Sequence, residues 1–192
     1  MTKNRLEAFS DGVIAIIITI MVLELKVPHG TAFADLVQLV PVFLSYLLSF
    51  VFVAIYWNNH HHMLHAAHRI NGGVLWANTH LLFWLSLVPF TTGWMGENEL
   101  APIPVALYGV VLLMAGAAYF ILARVLVAQH DKDAPISRAI GRDCKGVISL
   151  ILYATAVPLA FFIPWGAIAI YVIVAIMWVI PDRRIERVLA GR

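Results

Sequence analysis

Long apolar runs separated by short polar breaks dominate the chain. The runs are far longer than strands and suit helices. Six are visible, at residues 6–25, 35–61, 74–95, 102–127, 146–163 and 166–180. The first is 20 residues, about 30 Å of helix, which matches a bilayer's hydrocarbon core. Pro28-His29-Gly30 make the turn after it, and Thr31 is the expected cap of the next run. Pro41 falls near the start of run two, where a missing amide costs least. Asn71-Gly72-Gly73 is expected to break the helix, and Pro89 to kink run three. Gly109 and Gly116 in run four permit close helix contact. The polar stretch 129–145 has a middle that suits a short surface helix, and the basic tail from Pro181 also reads as helical. The pattern predicts an all-α integral membrane protein with six transmembrane helices, one channel-sized domain over residues 1–192.

Composition strengthens that reading. The chain is 61% hydrophobic and 12% charged, with a mean hydropathy of +0.86, whereas soluble domains are nearer half apolar and a quarter charged. Of 13 Lys and Arg residues, 12 fall on one side of the six-span topology: Lys3, Arg5, Arg69, Arg124, Lys132, Arg138, Arg142, Lys145, Arg183, Arg184, Arg187 and Arg192. Only Lys26 falls on the other. An even number of spans with both termini cytosolic fits this bias. The single cysteine, Cys144, excludes an intramolecular disulfide and suits a reducing face. The apolar run after Arg5 exceeds a signal peptide's apolar region and lacks a small-residue cleavage site, so the first helix is expected to stay.

The first run carries the unusual chemistry. It opens with Arg5, Glu7, Ser10 and Asp11, then holds one hydroxyl, Thr19, among isoleucines. Ionisable groups inside a span usually face protein or water. Asp11, Ile16, Thr19, Ile20 and Leu23 fit one broad stripe, because steps of three and four residues share a face. The remaining positions are apolar too, so hydrophobicity alone leaves open which face meets lipid.

Here the sequence resembles a family. Arg5-x-x-x-Phe9-Ser10-Asp11 is similar to the signature of the transmembrane protein 175 family, the lysosomal potassium channel of animals and its prokaryotic relatives. Leu-Glu-Leu-Lys-Val-Pro downstream, Trp57-Asn58-Asn59-His60, Asn78 and Leu87-Val88-Pro89-Phe90 support it. The resemblance implies a potassium channel in a prokaryotic cell membrane, built as a homotetramer with four first helices around a central pore. It implies that Ile16, Thr19, Ile20 and Leu23 face the pore, the stripe found from spacing. It also implies that Arg5, Phe9, Ser10, Asp11, Trp57 and His60 form a structural network near the cytosolic end. The signature then hydrogen-bonds to Trp57, His60 and neighbouring helices rather than touching the ion.

A helix-lined pore offers few free oxygens, because its carbonyls are bonded four residues on. Between Asp11 and Glu24 the only side-chain oxygen is Thr19's, and the sequence holds no Thr-Val-Gly-Tyr-Gly filter. Isoleucine and leucine rings would make a hydrophobic constriction that gates by dewetting. Potassium sheds water more easily than sodium, so moderate potassium preference is expected. Two rival readings stay on the page. His61 and His65 stand at i, i+4, a spacing that can bind metal, so a histidine-rich metalloenzyme or haem protein is one. A proton-coupled transporter using Asp11 is the other. No nucleophile–base set or phosphate loop is present, so no enzyme of soluble type is expected. No cofactor and no nucleic-acid partner are expected; the partners are lipid, potassium ions and three further copies of the chain.

Overall fold

The computed structural model describes residues 2–131 and 143–179. Every regular element among them is helical: α1 (Lys3–Met21), α2 (Phe33–Val37), α3 (Val40–Ala66), α4 (Gly72–Ser86), α5 (Val88–Glu97), α6 (Pro102–Ala128), α7 (Cys144–Leu159) and α8 (Pro164–Val179). A turn of 3-10 helix, Val22–Glu24, extends α1. Four stretches are long and apolar enough to cross a membrane: Lys3–Glu24, Val40–Ala66, Gly72–Glu97 and Pro102–Ala128. The last two helices have 16 residues each, about 24 Å, and are apolar but shorter. Most of the expected 129–145 surface helix, and the tail from Pro181, lie outside the described residues.

Several local expectations change. Thr31 is not a cap; Asp35 does that work by accepting the Ala32 amide at 3.0 Å. The second apolar run divides into α2 and α3, with Pro41 in the first turn of α3. Helix α3 then continues past His61 to Ala66, so His61, His62 and His65 ride on it. Gly72 and Gly73 do not break a helix but begin one. Asn71 caps α4 by accepting the Val74 amide at 3.0 Å, and the glycines sit in its first turn. The expected kink in run three is an interruption at Leu87, with Pro89 in the first turn of α5.

The helices share two apolar cores. One joins Leu6, Ile14, Ile17 and Met21 of α1 to Val53 and Met63 of α3, Leu81 and Leu85 of α4, and Leu122 and Leu126 of α6. The other gathers Phe52, Met95, Tyr108, Leu112, Tyr153, Ala156 and Tyr171 around α6, α7 and α8. Helix α6 belongs to both, which makes it the spine of the bundle. Close approach sets the packing at specific glycines. A Cβ on Gly96 would lie 2.8 Å from the Val42 backbone, and one on Gly109 would lie 2.0 Å from the Tyr171 hydroxyl. Gly109 thus makes room for Tyr171, whose hydroxyl donates to Val105 O at 3.1 Å.

A buried hydroxyl chain ties α5 to α3 and α6 beyond the Leu87 break. The Thr92 hydroxyl lies 2.6 Å from both Val88 O and Ser49 Oγ, and Ser49 lies 2.9 Å from the Tyr108 hydroxyl. A hydroxyl has one proton. Thr92 is the donor toward both Ser49 Oγ and Val88 O, its single proton shared between them, and Ser49 and Tyr108 exchange the remaining bond. The chain leaves no buried hydroxyl unsatisfied, as a low-dielectric interior demands.

Candidate functional site

Helix α1 has two unlike sides. Leu6, Ser10, Ile14, Ile17 and Met21, spaced three or four apart, are buried where α1 packs against α3, α4 and α5. The opposite side is bare: Ile16 is 58% exposed, Ile20 44% and Leu23 74%, with Thr19 exposed beside them. Within one chain, then, the four stripe residues share a face that no other helix covers. The Thr19 hydroxyl donates to Ile16 O at 3.0 Å, three residues back. That bond uses the proton and leaves the oxygen's lone pairs facing outward, which is the half of a hydroxyl that a cation needs.

Of the signature residues, Ser10 acts from the buried side of the same helix and Asp11 from its half-buried flank. Asp11 Oδ1 accepts the Trp57 indole N–H at 3.0 Å. Ser10 Oγ donates to Leu6 O at 2.9 Å and must therefore accept from Asn78 Nδ2 at 3.0 Å. With its amide nitrogen so used, Asn78 presents Oδ1 to His60 Nε2 at 2.7 Å, which places the imidazole proton on Nε2. Ser10, Asn78 and His60 are at most 1% exposed. Two links thus fasten α1, one to α3 through Asp11 and one to α4 and α3 through Ser10.

The arrangement differs from the expected one in detail. Ser10 reaches His60 only through Asn78, whereas Asp11 meets Trp57 directly. Arg5 is exposed and its side chain makes no hydrogen bond or ion pair among the described residues, and Phe9 is 53% exposed. Asn78 is the hub that a reading of the signature alone passes over. Its signal was a carboxamide in the middle of an apolar run, a group that a membrane span holds only when it is bonded.

The histidines divide by environment. His61 and His65 stack at 6.1 Å with an interplanar angle of 19°, and Trp57 stacks on His61 at 6.1 Å. Among the described residues, no group of three or more His, Cys, Asp or Glu side chains could hold a metal ion. His80 accepts the Trp84 indole N–H at 2.9 Å. His130 lies 2.8 Å from Leu126 O through Nδ1 and accepts the His68 amide at 3.0 Å through Nε2, clipping the end of α6 to the α3–α4 turn. At the other end of α1, Lys26 pairs with Glu97, and that hydrogen bond holds the ammonium above its usual pKa. The Glu24 carboxylate packs over Gly93, where a Cβ would meet it at 2.5 Å.

Comparison with known proteins points one way. Residues 5–89 match the sequence profile described as the endosomal/lysosomal potassium channel TMEM175. A potassium channel of Chryseobacterium sp. is 52% identical over 189 residues, 98% of each chain. The bovine endosomal/lysosomal proton channel TMEM175 is 29% identical over 182 residues, covering 84% of this chain but 37% of that longer protein. Among solved structures, the crystal structure of a lysosomal potassium-selective channel TMEM175 homologue from Chamaesiphon minutus superposes with a TM-score of 0.80. It is 29% identical and covers 94% of this chain and 97% of that one.

Proposed function

The chain belongs to the transmembrane protein 175 family of channels, and from that premise we propose that it is a potassium channel whose ion path runs along α1. Four copies assemble around a central axis, each contributing one α1. One helix cannot enclose a path, and cyclic closure is the simplest way to build one from identical parts. Six helical spans cross the prokaryotic cell membrane, with the α4–α5 pair counted as one and both termini cytosolic. The permeant ion is the ligand, and no cofactor takes part.

The observation that carries this reading is the division of α1. Its inner side is locked into the subunit, while Ile16, Thr19, Ile20 and Leu23 stand together on the side left open. Brought together four times, that face is a narrow apolar tube with one layer of hydroxyls. The isoleucine and leucine layers exclude water and form the gate. The Thr19 layer offers oxygens to a partly dehydrated ion, and potassium, with the smaller dehydration cost, gains more from so sparse a compensation. Selectivity over sodium is moderate, because nothing in the tube builds a full carbonyl cage.

The Ser10–Asn78–His60 and Asp11–Trp57 links hold α1 at a fixed rotation, which keeps the stripe on the axis. A proton-coupled transporter using Asp11 would show uptake that depends on a proton gradient, whereas here Asp11 Oδ1 serves as the acceptor that ties α1 to Trp57 of α3. Bi-ionic reversal potentials on purified protein in planar bilayers test the proposal. Current down the gradient with no second ion required, and a reversal displaced toward the potassium potential, supports it. Uptake that depends on a second ion, or equal permeability to potassium and sodium, overturns it.

A further inference from the structure

Away from α1, helices α3, α6, α7 and α8 leave a partly open cavity of about 40 Å³. No α1 residue lines it, and it shares no side chain with the stripe or with the links that hold α1. Rings form half of its wall, including Tyr56, Tyr119, Tyr153 and Trp178. Two glycines open it. A Cβ on Gly116 would stand 3.6 Å from the Tyr56 hydroxyl, and one on Gly146 would lie 2.3 Å from Asp143 Oδ2.

The hydrogen-bonding capacity left over in that wall decides what fits. Ser149 is used up: its hydroxyl donates to Lys145 O at 2.8 Å and accepts the Trp178 indole N–H at 2.8 Å. Asn59 donates through Nδ2 to Ile55 O at 2.8 Å, which leaves its Oδ1 as an acceptor. Asp143 caps α7 by accepting the Gly146 amide at 2.8 Å through Oδ1, which leaves Oδ2. The Tyr56 hydroxyl has no partner among the described residues. Among the described residues the remainder is one carboxylate oxygen, one amide oxygen and the phenols of Tyr56 and Tyr153, set among aromatic faces.

Negative charge, spare acceptors and ring faces are the features that recognise a cation bearing several N–H donors. The chain itself supplies an example of the same chemistry: the Lys145 ammonium lies 5.9 Å from the Trp178 ring centroid. The volume equals about three water molecules, enough for an ammonium group and its methylene but not for a bulky quaternary head. We propose that this cavity binds the primary ammonium head of an amphiphile whose apolar part leaves through the open side between the helices. A phospholipid with an ethanolamine headgroup and a soluble alkylamine share that chemistry.

Two measurements on the full-length protein test the site. In detergent, n-butylamine and its neutral counterpart n-butanol are titrated by thermophoresis. Wild type is expected to prefer the amine by about tenfold, the scale of a charge-assisted hydrogen bond. Asp143→Asn keeps the cap oxygen but removes the charge, and should abolish the preference. Tyr56→Phe keeps the ring and should weaken amine binding by roughly threefold to tenfold. Native mass spectrometry from mixed vesicles then separates the sources. Retention of phosphatidylethanolamine over phosphatidylcholine, lost in Asp143→Asn, identifies a lipid head, whereas an amine preference without lipid retention identifies a soluble amine. Equal affinity for amine and alcohol overturns the proposal, as does amine binding unchanged in both variants. If Asp143→Asn does not fold, Tyr56→Phe alone decides.

Discussion

Replacing Asn78 by alanine removes both arms of the amide that joins Ser10 to His60. The His60 Nε2 proton, now facing apolar side chains, loses its acceptor, and a buried unsatisfied donor costs about 1–3 kcal/mol. Ser10 Oγ keeps its bond to Leu6 O and loses only an accepted one, about 0.5–1 kcal/mol. The space vacated by the amide in a fully buried position adds about 1 kcal/mol. Together these amount to about 2.5–5 kcal/mol. At roughly 2–4 °C per kcal/mol for a chain of this length, the melting temperature should fall by about 5–20 °C. Tryptophan fluorescence melts of the purified protein in detergent measure it. A double-mutant cycle with His60→Phe and Asn78→Leu sharpens the test, because removing both partners leaves no orphan. The double variant should recover much of what Asn78→Leu alone loses. A melt of Asn78→Ala within about 2 °C of wild type, or additive energies in the cycle, would refute the argument that this link fastens α1.

Three further outcomes follow from the faces of α1. Ile16→Asn should hydrate the constriction and raise single-channel conductance, with sodium gaining most; Ile17→Asn, only 4% exposed, should instead lower stability by about 2–4 kcal/mol without opening the path. Thr19→Val keeps the β-branch and removes the hydroxyl, so the potassium-to-sodium permeability ratio should fall while native mass spectrometry still finds an unchanged assembly. If both Ile16→Asn and Thr19→Val leave ratio and conductance untouched, α1 is not the ion path. Asp11→Ala should cost about 1–2 kcal/mol in a melt by orphaning the Trp57 indole, and Asp11→Asn, which retains an acceptor, should cost less; a change in ion preference alone would place Asp11 in the path instead.

What the amino-acid sequence determined by itself is what depends on length and spacing along one element. A run of apolar residues long enough to span lipid must be a helix there, because no water satisfies an open backbone. Helical spacing grouped Ile16, Thr19, Ile20 and Leu23, since a period of 3.6 residues acts within the helix and needs no neighbour, but it also placed Asp11 with them, which the structure instead bonds to Trp57 of α3. Orientation of that helix was beyond the same reasoning. Its far side, Ile14, Ile17 and Met21, is equally apolar, so no hydrophobic difference distinguishes inside from outside. Tertiary packing decided it, by burying those side chains where α1 meets α3, α4 and α5. The hydrogen-bond partners were likewise out of reach. Asn78 lies 68 residues from Ser10, and only the crossing of α1 with α4 brings their side chains to 3.0 Å. For Asp11 only the family resemblance pointed to Trp57; spacing along α1 could not, and the two meet because α3 runs alongside α1. Local rules named the residues of the stripe; contacts between helices settled which way it faces.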